Sequence, residues 1–176
     1  TVLIWVVPIG LGAALIIILV VYWNRQISRQ KEAMEISEER TRLLLESVGE
    51  GVFGVNLEGR VTFVNPRVQK ILGFDADDLM GNKIHAIIHH SHEDGSEYAV
   101  ETCSMWRTYT TGIPAQVEDE VLWHKDGTAV PVEYSSTPII RNKEVLGAVI
   151  SFKDISARKK AEEEVARRTI LLQAVL

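Results

Sequence analysis

The chain has 176 residues, with 19 Lys and Arg against 24 Asp and Glu and a formal net charge of −5. That length suits one globular domain with accessory segments. An apolar content of 46% excludes intrinsic disorder, and the single cysteine, Cys103, excludes a disulfide scaffold. The mildly acidic balance, with no basic block, argues against nucleic acid as a partner. A lone cysteine suits a reducing compartment.

Residues 1–24 predict a transmembrane helix. No charge occurs before Arg25, and about 20 apolar residues at 1.5 Å each match the ~30 Å hydrocarbon core. Trp5 at one end and Tyr22-Trp23 at the other fit the two interfacial aromatic belts, and Pro8 predicts a kink. Arg25, Arg29 and Lys31 place the following residues in the cytoplasm by the positive-inside rule. A signal peptide fits less well, because the run is long and no small-residue cleavage site follows it. The start at Thr1 without a methionine leads us to expect sequence upstream.

Residues 25–47 lack Gly and Pro and predict a juxtamembrane helix. Ile27, Met34, Thr41 and Val48 fall seven apart, a thin seam compatible with a parallel homodimer. An amphipathic linker whose Leu43-Leu44-Leu45 end packs on the next domain accounts for the same residues.

Residues 48–156 read as an α+β domain. Gly51 to Asn65 predicts a β-hairpin turning at Leu57-Glu58-Gly59. Asn65-Pro66 is a helix start, Gly73 a stop, and Asp75 a cap for a second short helix over 76–80. A longer helix is expected from about Ser96 to Thr111, with Ala99, Cys103, Trp106 and Thr110 on one face. Three strands follow. In the first, Val117, Val121 and Trp123 are expected on one face, with Glu118 and Glu120 opposite. The order of two strands, short helices and three strands predicts a five-stranded antiparallel sheet with helices on one side. Residues 157–176 predict an output helix.

Several of these pieces together resemble the PAS family. They are Glu50-Gly51-Val52, Phe63-Val64-Asn65-Pro66, Leu72-Gly73-Phe74, Lys125-Asp126-Gly127 with Pro131-Val132-Glu133, and Gly147-Ala148-Val149 before Asp154-Ile155-Ser156. The resemblance implies a curved sheet whose helices can enclose a pocket, here with Phe53, Trp106, Tyr109, Trp123 and Tyr134 as candidate ligand-pocket residues, although the same side chains suit a core. It also implies that Asp154, Ile155 and Ser156 form the signal-coupling junction, with Ser in place of the usual Thr. The architecture resembles that of a bacterial membrane receptor held by a single span in the inner membrane, its PAS domain in the cytoplasm. The downstream effector in the same chain is expected to be a sensor histidine kinase of a two-component phosphorelay; a diguanylate cyclase or phosphodiesterase is the alternative. A further alternative is a PAS domain that itself binds a small molecule or metal, and a last one a pure dimerisation spacer. Thr169 to Leu176 repeats the Thr and two Leu of the segment from Thr41, so a second PAS domain is expected beyond it.

No catalytic site is expected within the chain, which lacks kinase, cyclase and phosphodiesterase motifs. Ser135 and Ser136 have no Gly-x-Ser-x-Gly elbow, and Gly51 and Gly54 no phosphate-loop Lys. His85, His89, His90 and His92, with Glu93, Asp94, Glu97 and Cys103, are the densest group of donors. None of these histidine pairs reads as a standard Cys/His zinc spacing, so structural roles are expected, with no metal and no cofactor; His89, His90, His92 and Cys103 are the metal candidates. Cys103 is expected as a core thiol. The cysteine helix motif of light-sensing relatives is absent, which argues against a flavin.

Overall fold

The computed structural model describes residues 3–47 and 49–173, with side chains described from Ile17 onward except Ile18, Leu172 and Gln173. It divides into two units, residues 1–44 and 45–176. The first is the helix α1 (Leu3–Ser47) up to Leu44. The expected membrane segment and the juxtamembrane helix thus form one uninterrupted helix. Among the described residues no helix is long and apolar enough to cross a membrane; most of the expected span lies on side chains outside the described ones. Ile27 and Met34 of the heptad seam are 46% and 63% exposed, whereas Val48 lies outside the described residues.

The second unit is built on a five-stranded antiparallel sheet in the order β2-β1-β5-β4-β3. Its strands are β1 (Gly51–Asn56), β2 (Val61–Val64), β3 (Ala115–Trp123), β4 (Ala129–Arg141) and β5 (Glu144–Asp154). The expected α+β class and strand count hold. The first hairpin closes as its sequence dictates: the Asn56 carboxamide oxygen accepts the N–H groups of Glu58 and Arg60. β5 lies between β1 and β4, so the sheet's last strand in sequence is central. Gly147 makes this pairing possible, since a Cβ there would meet the Val55 carbonyl oxygen at 2.0 Å.

Short helices cover one face. Asn65 caps α2 (Pro66–Leu72), its side chain accepting the Val68 N–H, and left-handed Gly73 ends it. Asn65 also binds the Val52 N–H and the carbonyls of Leu45 and Glu50, so one buried side chain ties α2 to the domain entrance. α3 (Ala76–Leu79) is capped by Asp75 as expected, although it stops before Met80. α4 (Ile84–Ile88) carries Ile84 and Ile88 into the core and was not anticipated.

The expected long helix from Ser96 is corrected. A single 3-10 turn (Val100–Thr102) is followed by α5 (Ser104–Thr111), and Cys103 between them is extended at φ −67°, ψ 127°. Cys103 is therefore the N-cap of α5, where its thiol faces the core instead of sitting mid-helix. A final helix, α6 (Ser156–Gln173), leaves the sheet after β5.

The expected alternation of β3 is also corrected. A bulge between Val117 and Glu120 inserts into its pairing with β4. Val117 packs on the core before the bulge and Leu122 is fully buried in it after, so the parity of the strand switches. Glu120 then shares the inward parity of Leu122, not that of the exposed Glu118.

Candidate functional site

Two places in the domain concentrate polar organisation. The first is the exit to α6. Asp154 pairs with Val132 at the end of the sheet, and its Oδ1 accepts the Ser156 N–H at 2.8 Å. It stands one residue before the helix cap, where a carboxylate still meets the positive end of the helix dipole. Ile155 is buried, and its N–H donates to the Pro131 carbonyl at 3.0 Å. One turn on, Lys159 reaches Asp119 at 2.6 Å and Arg158 reaches Glu133 at 3.2 Å. The first turn of α6 is thus attached to both β3 and β4. Of the three expected coupling residues, Asp154 and Ile155 make these contacts through side chain or burial, and Ser156 through its backbone.

The second place is a polar cluster inside the core. His85 and His89 fall on one face of α4 and its cap, four residues apart. Cys103 Sγ lies 3.3 Å from His89 Nδ1, and His89 Nε2 lies 3.3 Å from Glu120 Oε1. The latter is ion-pair distance, although the ring N–H is not aligned for a hydrogen bond. The Tyr98 ring stands edge-on to both imidazoles, at 5.8 Å from His85 and 4.7 Å from His89. The Tyr134 hydroxyl is buried beside Glu120 without a partner in hydrogen-bond geometry.

Charge is settled locally. Burial alone lifts the Cys103 thiol, but the His85 and His89 side chains beside it, the His89 charge and the Trp106 backbone N–H bring it down to about 6. Burial likewise disfavours the His89 imidazolium, yet Cys103 and Glu120 on its two nitrogens raise it to about 9. Burial also lifts the Glu120 carboxyl, and His89 with the two tyrosine hydroxyls outweighs it and holds the group below the usual range. Cys103, His89 and Glu120 thus form a row in which each group favours the charged form of its neighbour. Such a row resembles an activated nucleophile. Cys103 and His89 are each 1% exposed, so the row lies inside the core.

The remaining histidines do not join the cluster. His90 is exposed and stacks on Trp123 at 5.4 Å, while His92 stacks on Tyr98 from outside at 4.2 Å. Among the pocket candidates, Trp106 and Tyr109 line one cleft of about 580 Å³ together with His85 and Lys83. Phe53 and Tyr134 are core side chains, and Trp123 donates its indole N–H to the Ser91 carbonyl. A second cleft, of about 610 Å³, has Glu120, Tyr98, His92 and Asp119 in its wall. The cluster therefore sits between two surface clefts.

Sequence reasoning missed Glu120, Tyr98 and the membership of His85. The signal for His85 was present: His85 and His89 are separated by three residues, the histidine spacing of zinc fingers, which corrects the view that no histidine pair here has ligand spacing. No sequence signal marked Glu120, because its inward turn depends on the bulge.

Comparison with known proteins agrees with this architecture. The family model for the PAS fold matches residues 39–155. A probable diguanylate cyclase of Escherichia coli is 25% identical over 136 residues, covering 77% of this chain and 12% of that protein. The sensor protein CitS of Halalkalibacterium halodurans is 27% identical over 144 residues, covering 76% and 22%. The chain thus spans less than a quarter of the length of these curated relatives. Among solved structures, the PAS domain of an HTR-like protein from Haloarcula marismortui superposes with a TM-score of 0.58 at 18% identity, covering 73% of this chain and 99% of that one. A PAS domain from Colwellia psychrerythraea gives 0.56 at 19% identity, covering 69% and 98%. With its five-stranded sheet in the order 2-1-5-4-3 and two-thirds of its length matched, the chain belongs to the PAS family.

Proposed function

We propose that this chain is the sensory relay module of a membrane receptor, carrying a signal through α1 and the PAS domain to an effector in the same polypeptide. The observation that carries this reading is the exit junction. The central strand β5 passes into α6 through Asp154, Ile155 and Ser156, and the first turn of α6 is fixed to β3 and β4 by two ion pairs. A change in sheet curvature would therefore alter the angle at which α6 leaves. The uncharged run before Arg25, followed by Arg29 and Lys31, supports a single inner-membrane span with the PAS domain in the cytoplasm. The exposed Ile27 and Met34 support a homodimer through the flanking helices. The module itself is non-catalytic in this reading, and its effector is a sensor histidine kinase, as the likeness to CitS suggests. A diguanylate cyclase is the second reading, favoured by the likeness to the Escherichia coli protein.

The test uses the full-length protein in a bacterial host. A reporter fused after Gln30 is expected to be active only in its cytoplasmic form; periplasmic activity there would overturn the topology. The purified receptor is expected to autophosphorylate on histidine. Synthesis of cyclic diguanylate without autophosphorylation would select the second reading.

A further inference from the structure

The relay role makes no use of half-buried His85 or of buried His89 and Cys103, yet their arrangement is specific. One donor atom of each lies within 4.8 Å of the others. In a tetrahedral zinc shell, bond lengths of about 2.0–2.3 Å put neighbouring donors roughly 3.3–3.7 Å apart. Cys103 Sγ and His89 Nδ1 already stand at 3.3 Å.

The surroundings prepare both imidazoles for the same task. His85 Nε2 lies 2.7 Å from the Tyr98 carbonyl oxygen. A carbonyl only accepts, so Nε2 carries the hydrogen, and Nδ1 of the neutral ring is left as a lone pair. That Nδ1 is buried and has no hydrogen-bond partner. His89 Nε2 faces the Glu120 carboxylate, which leaves Nδ1 directed at the sulfur. A metal-bound imidazole characteristically offers its other nitrogen to a carbonyl or a carboxylate. His85 has the first kind of partner and His89 the second.

We propose that His85 Nδ1, His89 Nδ1 and Cys103 Sγ form a three-ligand zinc site, with Tyr98 and Glu120 as its outer partners. One thiolate and two imidazoles suit a borderline-soft ion such as zinc better than magnesium or calcium, which prefer oxygen. Three protein ligands leave a fourth position for water or an external ligand. His85 is half-buried and lines the cleft shared by Trp106 and Tyr109, which supplies an entry path. The site joins the end of α4 to the start of α5, and Glu120 extends it to the bulge of β3. Asp119, in the same bulge, holds Lys159 of α6. Zinc binding goes beyond the relay reading and does not depend on it.

The whole 176-residue chain, purified in detergent without a metal-affinity tag, is titrated with cobalt(II) and then with zinc against a chromophoric chelator. One cobalt per chain is expected, with a thiolate-to-cobalt charge-transfer band and tetrahedral d–d bands that zinc abolishes. Cys103→Ser is expected to lose the charge-transfer band, and His85→Gln to lose stoichiometric binding. Glu120→Gln should weaken zinc by about 10–100-fold, the usual effect of removing an outer partner. His90→Ala and His92→Ala should bind as the parent does. The parent spectrum decides even where a variant fails to fold. Absence of a thiolate–cobalt band in the parent would overturn the proposal, as would an unchanged band in a His85→Gln variant with native circular dichroism.

Discussion

The exit junction and the buried cluster both use carboxylates, but they are assembled in opposite ways. At the junction, Asp154 binds the N–H of a residue two positions on, and its neighbours in sequence are its neighbours in space. In the cluster, Cys103 meets His89 across 14 residues, and Glu120 arrives from a strand beyond α5. The junction is exposed and its bonds compete with water. The cluster is largely buried, so a charge in it needs a partner. Local, exposed contacts set a direction for the chain at little cost; distant, buried ones decide whether the core can close at all.

The sharpest way to break that contrast is Glu120→Ala. It removes one of the two anionic partners of a histidine that is 1% exposed, while the Glu120 side chain itself is 14% exposed. Losing one member of a buried pair costs about 3–5 kcal/mol, and the slight exposure of Glu120 reduces this to roughly 2–4 kcal/mol. Glu118→Ala, two residues away on the outer side of the bulge, should stay within about 0.5 kcal/mol of the parent. Urea unfolding of the metal-free protein measures both. Equal effects would mean that the bulge does not separate an inner from an outer carboxylate.

The same contrast explains what could be read in advance. The β1–β2 hairpin, the Asn65-Pro66 start, the Gly73 stop and the Asp154 junction are legible because each is governed by residues within a few positions. Helical spacing of Ala99, Cys103 and Trp106 predicts a helix from Ser96 that the fold does not form. Tertiary packing instead uses Cys103 as an extended cap, with its sulfur against His89. Strict alternation puts Glu120 on the outer face, because it has no way to register a bulge set by the pairing of β3 with β4. Convergence of α4, α5 and β3 is a property of the closed sheet, and no window of sequence contains it.

Asp154→Ala tests the junction. The lost bond to the Ser156 N–H is exposed and resembles a helix cap, so about 0.5–1 kcal/mol of stability is expected to go. That is small beside a domain's ~5–15 kcal/mol, and the melting curve should move little. It is comparable to the ~1–3 kcal/mol that couples two sites in a switch. Effector activity of the full-length protein, with and without stimulus, is therefore expected to shift or uncouple. A normal response with a normal melting curve would make Asp154 a solvated strand end.

A third contact separates distance along the chain from burial. Asp78 of α3 pairs with Lys125 in the β3–β4 turn, 47 residues away, and also accepts the Asp75 N–H at 3.0 Å. The contact is as distant in sequence as any in the cluster, yet it is exposed. The Lys125 ammonium first, and the Asp75 N–H second, hold the Asp78 carboxyl below its ordinary value of 3.8. A carboxyl lowered on folding stabilises the fold above its unfolded value and loses that contribution as pH falls through the folded one. The stability difference between the parent and Asp78→Asn should therefore be constant at neutral pH, shrink below about pH 4 and diminish in high salt. Urea midpoints measured from pH 7 down to the acid limit of folding follow this directly. If sequence separation governed the energy, Asp78→Asn would cost as much as Glu120→Ala; if burial governs it, the Asp78 effect will be the smallest of the three.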